Sequence, residues 1–156
     1  MSRGLGDVYK RQLFINDRLD IALSVGADGI HVGRSGIPIR EIRRIAGDGL
    51  MIGCSTHSVT EAIEAERDGA DFITFGPLFP TPAKLKFGEP VGLDSLRQAK
   101  KEVGVTIFGI GGIKSENIKD VINSGASGVA LISGILSVSD ITLAAHEYLK
   151  KVGERQ

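Results

Sequence analysis

The sequence predicts an α/β fold of the (β/α)8 TIM-barrel type, incomplete, with about six of the eight βα units. Three observations carry this expectation. Short continuous apolar runs alternate with segments of helical periodicity. A Gly-Ala-(Asp/Ser) step followed by a β-prone run recurs three times, at Gly26-Ala27-Asp28, Gly69-Ala70-Asp71 and Gly125-Ala126-Ser127. Finally, nearly every apolar run ends in small or polar residues, as expected where all strand C-termini gather around one mouth. In an open doubly wound sheet only the switch point carries such residues, and no G-x-G-x-x-G follows the first strand.

The elements follow in chain order. Leu13 to Ile15 is the first strand and ends at Asn16-Asp17; Ile30 to Val32 is the second and ends at Gly33-Arg34. Ile39, Ile42 and Ile45 stripe one face of a helix that stops at Gly47. Leu50 to Ile52 is the third strand, leading to Ser55-Thr56-His57. Ser58-Val59-Thr60-Glu61 is a capping box opening a helix to about Asp68, with Ala62 and Ile63 on its apolar side. Phe72 to Phe75 and Val105 to Ile110 are the next strands, separated by a long proline-rich loop from Gly76 to Gly92. Ile118, Val121 and Ile122 define a helix between Ser115 and Gly125, then Val129 to Ile132 is the sixth strand. A last helix covers about Asp140 to Val152. The runs are continuous rather than alternating because a parallel sheet buries both faces. The repeated glycine sits just past a helix end, where a left-handed conformation costs it little.

Composition narrows the function classes. Acidic and basic residues number 19 each, so there is no basic block for phosphate neutralisation on a nucleic acid and no polybasic membrane patch. No run approaches the ~18 apolar residues of a membrane span. One cysteine, Cys54, excludes an internal disulfide framework and points to the cytoplasm. Residues 1–12 have neither strand nor helix pattern, and read as a non-native or disordered leader ahead of a single partial barrel domain, 13–156.

Several strand ends carry chemistry. Gly109-Ile110-Gly111-Gly112 follows a strand, so its backbone can approach an oxyanion; Ile132-Ser133 ends the next strand. The proline-rich loop brings Thr81 and Lys84 close together, suited to closing over an anion or to lying solvated. Asp17 suits Mg²⁺, a helix cap or a pair with Arg18. Ser55 can bond a phosphate and His57 can act as acid or base; alternatively Ser55 or Ser58 caps a helix and His57 is a surface residue. His31 reads as a packed interior residue, His146 as solvated and Cys54 as core.

Taken together, Ile15-Asn16-Asp17-Arg18, Gly26-Ala27-Asp28-Gly29-Ile30-His31-Val32-Gly33, Gly53-Cys54-Ser55-Thr56-His57-Ser58, Gly69-Ala70-Asp71, Gly76-Pro77-Leu78-Phe79-Pro80-Thr81-Pro82-Ala83-Lys84, Gly109-Ile110-Gly111-Gly112-Ile113 and Ile132-Ser133 resemble the thiamin phosphate synthase family, which includes related thiazole tautomerases. The resemblance covers about Leu13 to Val152. It implies a (β/α)8 barrel that joins a hydroxymethylpyrimidine diphosphate to a thiazole phosphate and releases diphosphate. It implies that Asn16, Ser55 and Lys84 contact the pyrimidine diphosphate and that Asp17 binds Mg²⁺. Thr81, Ala83, Gly112, Ile132 and Ser133 would surround the thiazole phosphate. Lys84, Ser55 and His57 are the catalytic candidates.

The chain departs from the family pattern. Gly36 stands where a second Mg²⁺-binding aspartate is expected, Ala83 replaces a threonine, and a basic Gln-Leu-Arg-x-Lys strand has no counterpart. The first two strands of the barrel are expected to be missing, which would leave this chain inactive in synthesis. The alternative functions are a thiazole tautomerase-like isomerase, in which a histidine near His57 is the acid/base group, and an inactive phosphate-binding fragment. Expected partners are small phosphorylated substrates, with no nucleic acid and no membrane; a homo-oligomer is compatible with the sequence.

Overall fold

The computed structural model describes residues 11–33, 35–81 and 89–153. Its strands are β1 (Phe14–Asn16), β2 (Gly29–Val32), β3 (Met51–Thr56), β4 (Phe72–Phe75), β5 (Thr106–Ile110) and β6 (Gly128–Ala130). The helices are α1 (Leu19–Val25), α2 (Ile39–Ala46), α3 (Val59–Arg67), α4 (Gly92–Glu102), α5 (Ile118–Asn123), α6 (Ser133–Leu136) and α7 (Ile141–Gly153). The six strands form one sheet in sequential order, every pair parallel. This is the curled, open part of a TIM-like barrel, with β1 and β6 as its two edges. The proposed leader falls, over residues 1–10, outside the described residues.

The three Gly-Ala repeats build one device. Gly26, Gly69 and Gly125 have φ of 62°, 101° and 107°, the left-handed values expected past a helix end. The following alanine amides reach back to Ala22, Ala65 and Val121 at 2.9, 2.9 and 3.4 Å, closing each helix. The third residue of each repeat then ties the sheet: the amides of Asp28, Asp71 and Ser127 donate to the carbonyls of Leu13, Ile52 and Ile107. Side chains reinforce this N-terminal rim. Leu13 N–H donates to Asp28 Oδ2 and Ile52 N–H to Asp71 Oδ2, each at 2.7 Å. Glu66 Oε1 accepts from the amides of Gly104 and Val105 just before β5. Arg43 donates to the carbonyls of Gly47, Leu50 and Gly69 and pairs with Asp71 at 2.7 Å.

Alternation divides each strand between two layers. Ile30, Val32, Ile52, Ile73, Phe75 and Ile107 face the helices and are essentially fully buried. The other face carries Phe14, Phe72 and Phe108, whose rings meet edge to face at centroid distances of 5.2 and 5.6 Å. Gly29 and Gly53 make room for them: a methyl group at either position would lie within 2.2 Å of a phenyl carbon. Such alternation of large and small residues fills a barrel interior in layers.

Four expectations need correction. Ile42 is fully buried but Ile45 is 57% exposed, and Ile63 is exposed while Ala62 and Ala65 form the buried face of α3. The third strand runs on through Thr56, because Gly53, Cys54, Ser55 and Thr56 all pair with β4. The sixth strand stops at Ala130. Beside the β6 edge, α7 has no buried residue, and Ile132, Leu136, Leu143 and Leu149 are exposed. Among the described residues no helix is long and apolar enough to cross a membrane.

Candidate functional site

The C-terminal ends of the parallel strands converge on one rim, and the candidate residues that the structure describes lie on or beside it. Asn16 is the last residue of β1, opposite His31 in the parallel register. Asp17 follows with φ 57°, a left-handed conformation tolerated by aspartate better than by most residues. Its amide donates to His31 O, and its carboxylate accepts from Gly33 N–H at 2.9 Å. The helix-cap and Arg18-pair alternatives for Asp17 therefore fail. Arg18 instead pairs with Asp20 at 2.6 Å and holds that carboxyl at about 2. No side-chain cap is present at the start of α1.

The Asp17 carboxylate is exposed, and only Oδ1 is engaged by the Gly33 amide. A single carboxylate fits Mg²⁺, which commonly takes one or two carboxylates and completes its shell with water and substrate phosphate oxygens. Position 36 abuts the same group: a Cβ there would lie 2.7 Å from Asp17 Oδ1. Glycine supplies no second donor at that place. Among the described residues no group of three or more His, Cys, Asp or Glu could hold a metal.

On β3 and β4 a small polar cluster faces the barrel interior. Ser55 and Thr74 are register partners. Thr74 Oγ1 lies 3.4 Å from Ser55 Oγ and 3.4 Å from His31 Nε2. Spacing had marked Ser55 but not Thr74. The signal was available: both residues sit on the same side of adjacent strands, as does His31 on β2. His31 also stacks obliquely on Phe72 at 6.1 Å. Burial pulls its pKa below the ordinary 6.5, with Asp17 opposing weakly. A folded state that disfavours the imidazolium loses stability as pH falls through 6.5 toward the lowered value. The His31 ring resonances are expected to titrate below 6.5 by NMR, and a midpoint above it would contradict this burial effect.

His57 follows directly on Thr56, and Ser58 begins α3: its Oγ accepts from Glu61 N–H at 3.1 Å. Ser58 is thus the cap, and Ser55 is free of that role. Cys54 is half-buried against the core, and burial raises its thiol to about 11, so it is no nucleophile.

The loops after β4 and β5 pack on each other. The amides of Leu78 and Phe79 donate to the carbonyls of Ile110 and Gly111 at 2.9 and 3.1 Å. Gly112 has φ 65°, and a Cβ there would meet the carbonyl oxygens of Phe79 and Pro80 at 2.7 and 2.8 Å. Asn117 Nδ2 donates to Gly112 O at 3.2 Å. Gly112 therefore lies against the chain one residue before Thr81. Ile110 pairs with Ala130, so Gly111-Gly112 and Ile132-Ser133 leave neighbouring strands at the same rim. Ser133 opens α6, whose carbonyl-bonded turn begins at Ile132. Ala83 and Lys84 lie outside the described residues.

Six parallel strands in sequential order, joined by helices and ending in glycine-rich, hydroxyl-bearing loops, define the class of TIM-like βα-barrel proteins. Residues 2–135 match the TMP-TENI family, described as thiamine monophosphate synthase, and the chain belongs to it. It is 47% identical over 131 residues to the thiamine-phosphate synthase of Methanocella arvoryzae, covering 84% of this chain. It is 44% identical over 135 residues to the thiamine-phosphate synthase of Chloroflexus aurantiacus, covering 86% of this chain. The chain spans 62% of the length of each of these two relatives. The thiamine phosphate pyrophosphorylase structure from Pyrococcus furiosus superposes with a TM-score of 0.88 at 37% identity, covering 96% of this chain and 71% of that one.

Proposed function

We propose that this chain carries the phosphate-binding half of a thiamin phosphate synthase active site. The protein would be a transferase joining hydroxymethylpyrimidine diphosphate to thiazole phosphate. The observation that carries this reading is the interlock of the Pro77–Thr81 and Gly111-Gly112 loops, beside Ile132-Ser133 on the next strand. It gathers a hydroxyl and glycine backbone where a barrel of this kind binds phosphate.

In the reaction, the C–O bond between the pyrimidine methylene and diphosphate breaks with its electron pair leaving on diphosphate. The thiazole nitrogen lone pair then forms the new C–N bond. No oxidant or reductant is required. The protein's task is to hold two anionic substrates together and stabilise the departing charge. Thr81, Ala83, Gly112, Ile132 and Ser133 are assigned to the thiazole phosphate. Asn16, Ser55 and Lys84 are assigned to the diphosphate, with Lys84, Ser55 and His57 as the catalytic set. Mg²⁺, held by Asp17 with diphosphate oxygens, would offset the leaving group's charge. A cytoplasmic location is part of this reading, supported by the single half-buried cysteine.

Calorimetric titration with thiazole phosphate is expected to show one site. Crystals soaked in it should show the phosphate against Gly112 and Ser133. Phosphate bound only at the opposite rim of the barrel would refute the assignment.

For the metal, little Mg²⁺ binding to the free chain is expected, with an increase when diphosphate is added. Asp17→Ala should remove that increase. Tight Mg²⁺ binding without diphosphate, retained in Asp17→Ala, would take Asp17 out of the site.

A further inference from the structure

The helix cap at the start of α3 does something a capping box does not require. In the usual box the third helical residue reaches back to the amide of the cap itself. Here Glu61 Oε2 reaches one residue further and accepts the amide of His57 at 2.7 Å. The same oxygen lies 3.2 Å from His57 Nδ1. Both side chains are partly shielded, at 34% exposure for His57 and 27% for Glu61. The carboxylate is pinned from both ends, since Ser58 Oγ fixes the Glu61 amide and the His57 amide fixes Oε2. We propose that Glu61 is a positioning residue that holds the His57 imidazole in its Nδ1–H tautomer and leaves the Nε2 lone pair for chemistry at the barrel mouth.

The chemistry compels the assignment of the proton. An ionised carboxylate can only accept, so a hydrogen bond at Nδ1 requires the hydrogen on Nδ1. An unconstrained imidazole favours the hydrogen on Nε2, so Glu61 works against the intrinsic preference. Nε2 has no hydrogen-bond partner among the described residues. It can therefore accept a proton from a bound substrate, and as imidazolium it can donate one to an anionic group. Glu61 itself need touch no substrate; it acts through the ring. The assignment of His57 to the substrate site rests on the function proposed above, whereas the tautomer does not.

The experiment uses the 15N-labelled chain at a pH where His57 is neutral. Long-range proton–nitrogen correlation distinguishes protonated from unprotonated ring nitrogens, and His57→Gln identifies the signals. The wild type is expected to show a protonated Nδ1 and a bare Nε2. In Glu61→Ala the two nitrogens should exchange order. Glu61→Gln, whose amide oxygen still accepts, should restore the wild-type order. Ser58→Ala weakens the same helix end but keeps the carboxylate, and should leave the order unchanged. A wild-type His57 protonated on Nε2, or an order that survives Glu61→Ala, overturns the proposal. So does an exchange in Ser58→Ala as large as in Glu61→Ala, which would mean fraying of the helix end. Titration with inorganic phosphate separates the two readings. Movement of the His57 signals supports both, while the expected tautomer without movement keeps the positioning role and removes His57 from the proposed substrate site.

Discussion

Gly112→Ala is expected to cost the chain at least ~10-fold in thiazole phosphate affinity, or about 1.4 kcal/mol. It is also expected to cost about 2–4 kcal/mol of stability, from left-handed strain together with overpacking. The backbone at Gly112 sits at φ 65°. The added methyl would meet two carbonyl oxygens, of Phe79 and Pro80, inside 3 Å. Neither carbonyl can swing away cheaply. The chain just before them is tied to β5 and the residue after it by the Leu78 and Phe79 amides. The relief available is separation of the two loops, which moves Thr81 away from Gly112. Calorimetry with thiazole phosphate and urea denaturation measure the two effects separately. Unchanged affinity in a variant whose stability has fallen would show that the loop interlock is structural and that the phosphate sits elsewhere.

The second large effect is a contrast on one helix. Ile42→Ala should lower stability by about 3 kcal/mol, within the usual 2–5 for a buried aliphatic truncation. Ile45→Ala, three residues on, should stay within about 0.5 kcal/mol. Ile42 is completely buried beneath α2, so truncation leaves a cavity between helix and sheet. Ile45 is 57% exposed and leaves none. Urea midpoints of the two variants, compared with wild type, decide the matter. Equal losses would mean that Ile45 packs as the sequence pattern suggested.

That contrast shows why some of the fold was legible and some was not. Successive steps of three residues each lag by about 60° on a helix of 3.6 residues per turn, so Ile45 is about 120° from Ile39. The count of isoleucines was right; the face was not. On α3 the buried positions are alanines, because the helix lies close to its strands, and the larger Ile63 beside them drew the eye outward. The Gly-Ala-(Asp/Ser) steps were readable because each is a local conformational rule, a left-handed residue closing a helix. What their acids do was not readable, since Asp28 and Asp71 act across 15 and 19 residues.

The site divides in the same way. Glycine-rich strand ends and the Ser58 cap are local, and were legible. Asp17 offered three partners by spacing, and the one it takes, Gly33 N–H, depends on how β1 and β2 pair. Thr74 was legible only through strand register, because its neighbours Ser55 and His31 belong to other strands.

The acid-to-amide ties at the N-terminal rim bear on how such a chain can change over time. Asp28, Asp71 and Glu66 each grip a strand start only one or two units away, so the units they join share one kind of coupling. A crossover placed at a Gly-Ala step would exchange whole units while conserving those couplings. The opposite rim, where Phe79 and Pro80 meet Gly112, has no such modularity, because its loops are fitted to each other carbonyl by carbonyl. Recombination between distant relatives should therefore preserve folding more readily than it preserves ligand choice. New specificities would arise by paired replacement of the loops after β4 and β5, rather than by single exchanges.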